Sequence, residues 1–544
     1  MKILINSVGD PWRDWGIIAV YKMLKTFRRY LISPPEITTN YLNAEFKPNI
    51  SEEKIQEEIT EYLKSLLNKI VLRDFSMKAL GLERKKDDNH IYDLGYSVTL
   101  TKEEAAEVQK ITGRRPDNGK AGVTLKRNYV GIAPDLKKAM NELSGLTEAF
   151  IAQVAGELKE KEKTYCPVCS LPYSKKMGVA MRQNKNPFYN QHHNNKVRGH
   201  ANSVETIDMC PVCNFLNSFT AYSANMPYFI GDSTHILLPE VNDLLILEKV
   251  YDRITTGLLD VESSTLYSYN TNIPELRHRS LYPTLITLYF CIKYKYSAET
   301  GEFEEFDWDK AIEKYLHRWQ IIRYNKGQNV IFNVFSTVDV PHRLLDLVEK
   351  LEFGKEGAKK GNIVQNFLQG WFSNDKRSID TLARGIVLKD WDLVSKSLYQ
   401  HYKDDGKMSF DSINFFGKFT TNAFGEVDKL LSPELMEDIK IIGRYMSYIL
   451  KDDIGLFTNL SNAYNKDSLR KVISQVFFKM SKIKQTINFQ KLKDFPIEPA
   501  EARIERLLNA LNNERDFTNI KDTLIIFSSL SALKTIRKKE EDEV

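Results

Sequence analysis

The residues with the clearest chemistry are four cysteines in two identical tetrapeptides. The sequence Cys-Pro-Val-Cys stands at 166–169 (the first knuckle) and again at 210–213 (the second knuckle). A Cys-x-x-Cys turn directs two thiolates toward one point, and two such turns complete the tetrahedral ligand set of a zinc ion. Cys166, Cys169, Cys210 and Cys213 are therefore predicted to hold a structural zinc, because four thiolates leave no open position for chemistry. Two surface disulfides, or four unrelated thiols, are the alternative interpretation.

The insert between the knuckles is longer than such sites usually have. Residues 170–209 separate Cys169 from Cys210, about twice the usual ~15–20 residues. Within the insert, residues 181–200 contain cations, amides and aromatic rings but no acidic residue, which suits contacts with base edges and base faces. We predict that the insert binds nucleic acid, whereas an idle or subunit-facing loop is the alternative. The residues nominated for motif reading or strand wedging are Asn184, Lys185, Asn186, Phe188, Asn190 and Gln191.

A turn-rich loop at 112–122 is a second candidate for contact with nucleic acid. It carries two arginines, an amide and a lysine that could contact phosphates, and a solvated hairpin is the plainer interpretation. These residues are Arg114, Arg115, Asn118 and Lys120.

A third candidate for contact with nucleic acid lies near the C-terminus, where residues 466–493 include eight Lys or Arg and one acidic residue. A helix predicted from Asp467 places its apolar residues on one stripe and its cations elsewhere. A row of cations along one helix suits a nucleic-acid backbone without reading its sequence, and an ordinary solvated polar face is the alternative. The cations concerned are Arg470, Lys471, Lys479 and Lys482.

The elements that must position these groups follow from capping residues and periodicity. Lys2–Asn6 predicts a strand, and Asp10 before Pro11 predicts the N-cap and first turn of a helix over 12–29. Further patterns predict helices over 51–69, 102–111, 243–254, 307–318 and 341–351, and strands over 96–100, 123–132, 235–238 and 282–296. Two apolar runs, 320–323 and 330–335, flank a turn and predict a hairpin.

From about residue 380 the pattern is helical without interruption. Helices are predicted to start at Ser432 and Asp467 and to follow at 498–513 and 518–539. The sequence thus predicts an α+β fold, in which a mixed N-terminal region with an inserted four-cysteine zinc ribbon precedes a C-terminal α-helical bundle. The expected domains are an N-terminal α+β part (1–160), the zinc-ribbon region with its long insert (161–235), the remainder of the large α+β domain (236–379) and the helical bundle (380–544).

Composition narrows the class of protein. The chain has 77 Lys and Arg against 72 Asp and Glu, a net charge of +5, so any contact with nucleic acid must come from local patches. Neither a signal peptide nor an apolar run of the ~18 residues that span a bilayer is visible. Few cysteines, with four of the five in one metal site, fit a reducing cytoplasm. We therefore expect a cytoplasmic protein with no membrane partner.

The paired knuckles, the Gly9-Asp10-Pro11 that follows the first strand and the helical C-terminus together resemble a known family. It is the CXXC-CXXC type of CRISPR-associated protein, the large subunit of the type I-B Cascade surveillance complex. The resemblance implies a non-catalytic protein that works with Cascade backbone subunits, a small subunit and CRISPR RNA. It also implies recognition of the protospacer-adjacent motif on double-stranded target DNA, help in opening the duplex, and stabilisation of the R-loop.

The resemblance has two further implications. A helicase-nuclease would be recruited afterwards to cut the DNA, and the C-terminal bundle would resemble the small subunit of the complex. In this type of family the small subunit can arise by internal translation of the same gene. Met408 is a candidate internal start.

Two other functions remain open on the sequence. A metal-dependent HNH-like nuclease also frames its site with paired knuckles, and His192, His193 and His200 lie in the insert. The nuclease interpretation is weakened because residues 181–200 contain no Asp or Glu that could bind the catalytic metal. A zinc-bearing scaffold that binds only proteins is the other alternative. Ser-His-Asp hydrolases, P-loop proteins and dinucleotide-binding proteins are not indicated, because their motifs are not recognisable.

Overall fold

A computed structural model describes most of the 544-residue chain. The described residues are 1–73, 97–112, 120–125, 136–156, 163–181, 185–189, 207–222, 228–230, 234–257, 281–283, 285–286, 289, 294–297, 302–305, 318–326, 330–353, 376–486 and 498–536. They fall into two compact units, an N-terminal unit (Met1–Arg279 with Asp307–Thr337) and a C-terminal unit (Ser280–Phe306 with Val338–Val544). The sequence predicted four domains, and the stretch 338–379 goes with the C-terminal unit in this division.

The strands are short and form small separate sheets. They are β1 (Lys2–Asn6), β2 (Glu36–Ile37), β3 (Tyr41–Glu45), β4 (Val71–Arg73), β5 (Ser97–Thr99), β6 (Lys120–Leu125), β7 (Lys163–Tyr165), β8 (Pro172–Ser174), β9 (Val179–Ala180), β10 (Asp208–Met209), β11 (Tyr228–Ile230), β12 (Thr234–Pro239), β13 (Tyr294–Ser297), β14 (Glu302–Glu305), β15 (Arg318–Lys326), β16 (Val330–Asp339), β17 (Lys407–Ser409) and β18 (Lys534–Ile536). The sheet orders are β1-β3-β2, β4-β6-β5, β7-β8, β9-β10, β11-β12-β15-β16, β13-β14 and β17-β18.

Helices form most of the remaining described structure. They are α1 (Pro11–Thr26), α2 (Glu52–Ile70), α3 (Lys102–Thr112), α4 (Leu136–Ala155), α5 (Pro211–Tyr222), α6 (Leu244–Gly257), α7 (His342–Phe353), α8 (Lys376–Leu388), α9 (Trp391–Lys403), α10 (Phe410–Asn422), α11 (Pro433–Leu450), α12 (Ile454–Ser461), α13 (Lys466–Thr486), α14 (Glu501–Ala510) and α15 (Glu514–Ala532). In the described part of the chain, no helix is both long enough and apolar enough to pass through a bilayer.

The predicted capping residues begin the helices as expected. The carboxylate of Asp10 accepts hydrogen bonds from the backbone N–H groups of Trp12 and Arg13 and so starts α1. The hydroxyl of Ser432 accepts from the N–H of Leu435 at the start of α11. The predictions of the first strand and of these two helices are confirmed.

The core of the N-terminal unit is built around α1 and α5. The two helices approach so closely that a Cβ on Gly16 would lie 2.3 Å from the backbone oxygen of Leu216, which only glycine permits. Trp12 and Trp15 of α1 are fully buried. Phe150 of α4 stacks on Phe215 of α5 with ring centroids 4.1 Å apart. Because α5 begins inside the second knuckle, this packing fixes the knuckle to the N-terminal helix.

In the C-terminal unit, α15 is the central helix. It packs against α9, α10 and α11, and its residues from 520 to 530 are almost entirely buried. Asp438 of α11 is also fully buried and forms ion pairs with Arg503 and Arg506 of α14. Fully buried carboxylates require such partners, since an unpaired one is costly to desolvate. These ion pairs therefore fix α14 against α11.

Two expectations about secondary structure are wrong. The range 282–296 was predicted as a strand, but its described residues up to 289 are helical and only Tyr294–Ser297 forms a strand. Its aromatic and branched composition is typical of strands, but Leu285, Ile286 and Tyr289 are buried at helical spacing. The C-terminal region is also not purely helical, because β17 and β18 pair in parallel. Three-residue strands are too short to produce a recognisable periodicity.

Candidate metal centre

The four knuckle cysteines come together in one cluster. Their sulfur atoms all lie within 4.8 Å of one another, and all four thiols are free. The Sγ atoms of Cys166 and Cys213 are 3.9 Å apart, and those of Cys169 and Cys210 are 3.6 Å apart. Four sulfurs bound to one zinc at ~2.3 Å lie about 3.8 Å from each other in a tetrahedron, whereas a disulfide needs ~2.05 Å. The geometry is compatible with a four-thiolate metal site and not with disulfides.

The first knuckle is a tight turn between β7 and β8. The backbone N–H of Cys166 donates to the oxygen of Leu171 over 3.0 Å, and the N–H of Ser170 donates back to the oxygen of Cys166 over 2.8 Å. Ser170 adopts a φ of 59°, the left-handed conformation that closes the turn. Antiparallel pairing of Tyr165 with Pro172 holds the two ends together. The hairpin thereby directs both thiols of this knuckle to the same side.

The second knuckle forms the start of α5. Pro211 occupies the first turn, where its missing N–H costs nothing. The backbone N–H of Cys213 lies 3.4 Å from the sulfur of Cys210, and the N–H of Cys210 lies 3.3 Å from the sulfur of Cys166. The positive end of a helix and N–H donors aimed at sulfur both stabilise thiolates. The second knuckle therefore supplies a favourable electrostatic environment for negative charge.

Crowding of the four thiols changes how they bind protons. The pKa of the Cys166 thiol is far below its ordinary value, because the thiols of Cys169, Cys210 and Cys213 hydrogen-bond to its sulfur. The pKa of the Cys213 thiol is raised, mainly through its hydrogen bonds with Cys166, Cys169 and Cys210. Four thiols this close to one another cannot all lose their protons unless a cation lies among them, because the resulting thiolates repel each other. A soft divalent metal would satisfy this donor set, and Cys166, Cys169, Cys210 and Cys213 are the residues that would hold it.

A buried arginine lies beside the cluster and was not foreseen from the sequence. The Nε of Arg13 donates to the sulfur of Cys213 over 3.3 Å, and the Arg13 side chain is fully buried. Its Nη1 donates to the oxygen of Asn6 over 2.8 Å and lies 3.3 Å from the carboxylate of Asp14. Burial alone would lower the pKa of the Arg13 guanidinium, but the sulfur of Cys213 and the carboxylate of Asp14 raise it. Helix α1 thus places a positive charge against the second knuckle.

Part of the predicted nucleic-acid segment is anchored next to this site. Residues 185–189 (the finger segment) are described, and Lys185 and Phe188 are half-exposed there. Asn186 is fully buried, which is not where a base-reading side chain lies. Its amide donates to the carboxylate of Asp10 over 2.8 Å and to the side-chain oxygen of Asn217 over 3.2 Å. Asn186 therefore holds the finger segment in place, a role that its position in a polar stretch did not reveal.

A second anchor of the finger segment is Tyr189. Its hydroxyl accepts a hydrogen bond from the amide of Asn217 over 3.0 Å, and its ring is nearly buried. The backbone oxygen of Asn217 in turn accepts from the indole of Trp12 over 3.0 Å. Asn217, on α5, thus connects the finger segment with α1. The sequence signal of this role was weak, because Asn217 is one of two asparagines in a helix that is otherwise largely apolar.

The other nominated residues differ in what the structure says about them. Lys120 is the first residue of β6 and pairs with Thr99 of β5. Asn184, Asn190, Gln191, Arg114, Arg115 and Asn118 lie outside the described residues, as do His192, His193, His200 and Cys291. Their predicted roles stay predictions.

The four cations of α13 divide into two kinds. Arg470 donates to the backbone oxygen of Leu508 and to the side chain of Asn512, and Lys479 forms an ion pair with Asp453. Lys471 is exposed. Lys482 is also exposed and lies 4.6 Å from the centre of the ring of Phe478, which is itself 61% exposed. Arg470 and Lys479 therefore contact residues outside α13, whereas Lys471 and Lys482 are the exposed lysines of the predicted track and lie on the same face as the ring of Phe478.

Comparison with known proteins assigns this chain to no family. No protein-family model matches its sequence, and no curated protein matches it either. The arrangement of four thiols around one point is thus the feature on which a functional proposal must rest.

Proposed function

We propose that the four thiolates bind one structural zinc ion and that the chain is the non-catalytic large subunit of a type I-B CRISPR Cascade complex. The observation that carries the zinc proposal is the convergence of four free sulfurs within 4.8 Å. The observation that supports the wider proposal is the pair of identical knuckles, on which the resemblance to that family depends. A closed four-thiolate shell fits a structural metal and leaves no site for a reacting group.

The proposed task of the N-terminal unit is recognition of the protospacer-adjacent motif on double-stranded DNA. Such a motif needs few base contacts, because guide pairing supplies the long-range specificity. The finger segment suits this task because its base is fixed by Asn186 and Tyr189 while Lys185 and Phe188 are half-exposed. A preorganised cation next to an aromatic ring can contact a phosphate and wedge between bases. Asn184, Asn190 and Gln191 flank these residues in the sequence.

The proposed task of the C-terminal unit is to line the opened strands of the R-loop. Lys471, Lys482 and the exposed ring of Phe478 lie on one face of α13. Cations that track a backbone and rings on which bases stack are the usual means of binding single strands without reading sequence. Neighbouring backbone subunits would carry most of the CRISPR RNA, which fits the low net charge of +5. The helicase-nuclease would be recruited to this assembly.

The test uses the chain assembled with guide RNA and its partner subunits, since the motif is unknown. A duplex library with a guide-complementary sequence and randomised flanking positions is selected by binding. We expect the wild-type complex to enrich one short flanking motif. The double variant Lys185→Ala/Phe188→Ala should assemble normally but lose this enrichment.

The matched control is the double variant Tyr165→Ala/Lys175→Ala. It removes one exposed ring and one exposed lysine from the first knuckle region, and it should leave enrichment unchanged. Unchanged enrichment in the finger variant would show that the finger segment is not the reader. Absence of any motif with the wild-type complex would contradict duplex recognition itself. Failure of the chain to assemble with guide RNA would contradict membership of a Cascade complex.

A further inference from the structure

The buried guanidinium of Arg13 makes one direct contact that zinc-ribbon chemistry alone does not require. Its Nε lies 3.3 Å from the sulfur of Cys213, across 200 positions of sequence. The side chain is fully buried, and within the described structure its Nη2 has no hydrogen-bond partner. A buried cation with an unsatisfied donor is costly unless strong negative charge lies nearby. A strong negative charge is therefore expected close to Arg13.

A metal-loaded cluster of four thiolates would supply the negative charge that Arg13 requires. Four thiolates around a divalent ion leave a net charge of −2, because four negative charges exceed two positive ones. The N–H groups at the start of α5 offset part of this charge. Asp14, the carboxylate nearest to Arg13, also accepts from the hydroxyl of Ser7 over 2.5 Å and from the N–H of Gly9 over 3.1 Å. The negative charge of Asp14 is thus shared among several donors. It therefore neutralises the charge of Arg13 only in part, and the guanidinium can also interact with the sulfur of Cys213.

We infer that Arg13 is the charge partner of the metal–thiolate cluster, so that its positive charge strengthens metal binding by the knuckles. This inference rests on the proposed zinc occupancy. Arg13 is a positioning residue and not a ligand, since an arginine cannot coordinate the metal while it is protonated. Groups that bond to metal ligands in this way typically change metal affinity by about 10–100-fold when removed.

A charge-partner role of Arg13 also accounts for the attachment of the second knuckle to α1 in particular. Arg13 is flanked in α1 by Trp12, which bonds to Asn217, and by Asp14, which bonds to the loop at Ser7 and Gly9. A metal–thiolate cluster that attracts Arg13 would therefore hold the start of α1 and the loop before it. Loss of the metal should loosen both.

The experiment compares zinc affinity of full-length variants by competition with a chromophoric chelator. Arg13→Gln keeps a polar side chain but removes the charge, and Arg13→Lys keeps the charge. We expect Arg13→Gln to bind zinc about 10–100-fold more weakly than wild type and Arg13→Lys to recover most of this loss. The matched control is Trp12→Phe, a change in the same buried turn of α1 that removes the hydrogen bond to Asn217 and leaves the hydrogen bond from Arg13 to Cys213 in place.

A spectroscopic measurement separates a charge effect from a packing effect. In the cobalt-substituted protein, loss of a cation beside a thiolate raises the energy of its electrons. The sulfur-to-cobalt charge-transfer band of Arg13→Gln should therefore move to longer wavelength, while that of Trp12→Phe stays in place. If Arg13→Gln is too unstable to purify, the affinity and the band of Arg13→Lys against wild type and Trp12→Phe decide the question.

The outcomes distinguish this inference from the zinc proposal. Wild-type protein without bound zinc after purification in zinc-containing buffer would contradict the zinc proposal. Zinc-loaded wild type with unchanged affinity in Arg13→Gln, or with an equal loss in Arg13→Lys and Arg13→Gln, would overturn the charge-partner role of Arg13 alone.

Discussion

The amide of Asn186 donates a 2.8 Å hydrogen bond to the carboxylate of Asp10, although 176 positions of sequence separate them. Asp10 is also the cap that starts α1. The same carboxylate therefore fixes a helix through one oxygen and the finger segment through the other. Burial raises the pKa of Asp10, while hydrogen bonds from Arg13 and Asn186 counteract this effect. Residues 185–189 consequently depend on the N-terminal helix for their position.

Replacement of Asn186 by alanine should destabilise the protein. The change removes the bonds to Asp10 and Asn217 and leaves buried polar atoms unpaired, which typically costs about 1–3 kcal/mol. Thermal denaturation should show a lower midpoint for Asn186→Ala. Lys185→Ala, one position earlier and half-exposed, serves as the control and should change stability by less than ~0.5 kcal/mol. Equal midpoints for Asn186→Ala and wild type would contradict the anchoring role.

Removal of the metal should expose the knuckle thiols. The zinc content measured by elemental analysis should be near one per chain and should fall toward zero after dialysis against a strong chelator. All four thiols should then react with an alkylating reagent, and the free energy of unfolding should fall because metal binding adds to folding. Cys210→Ser should reproduce the loss of zinc. Cys291→Ser, the fifth cysteine of the chain, should retain it, and zinc loss in that variant would mean that the ligand set is wrong.

The stability of the C-terminal unit should depend on pH through Asp522. Burial raises the pKa of this carboxyl from 3.8 to about 7, and its neighbours are Ser395, Lys521, Asp392 and Lys396. Between pH 3.8 and about 7, the carboxyl of Asp522 is therefore protonated in the folded chain and ionised in the unfolded chain. Hence the contribution of Asp522 to the free energy of unfolding decreases as pH rises through this window. Above pH 7 the ionised carboxylate costs up to ~4 kcal/mol.

Asp522→Asn should therefore stabilise the protein at pH 8 and do so much less near pH 4. Chemical denaturation at both pH values measures this difference. Asp392→Asn is the opposing control. Burial alone would raise the pKa of Asp392, but Lys396 and Lys521 hold it below its ordinary value, so loss of its charge should destabilise the protein at pH 8. Destabilisation by Asp522→Asn at pH 8 would show that the carboxylate is needed in its charged form.

The exposed cations of α13 should contribute to binding of single-stranded DNA. Lys471→Ala/Lys482→Ala should weaken binding by the full chain severalfold. If both lysines contact phosphates, the slope of log K against log salt should fall by about 1.4. The control Lys418→Ala/Lys440→Ala removes exposed lysines from α10 and α11. An equal effect of both double variants would indicate a diffuse attraction and no defined track.

The sequence was sufficient for features that depend on neighbours along the chain. The caps at Asp10 and Ser432 and the pairing of two Cys-Pro-Val-Cys turns needed no tertiary information. Arg13 looked like an ordinary charged residue in a first turn, because its partner Cys213 lies 200 positions away. Asn186 was nominated for contact with DNA for the same reason, since its polar side chain gave no sign of burial. Burial of a polar group is a property of the packed structure, which local patterns do not encode.

The packing of α9 on α15 bears on any shorter product that begins at Met408. Met408 lies in β17 and is fully buried, and its strand pairs with β18 at the far end of the chain. A polypeptide starting there would keep β18 and two of the three residues of β17, but it would lack α9, whose Ser395 and Asp392 bond to Asp522 and Lys521. One side of its central helix would face water, and Asp522 would lose part of the burial that raises its pKa. In such a truncated form, a neighbouring subunit would have to pack against the face of α15 that α9 covers in the full chain.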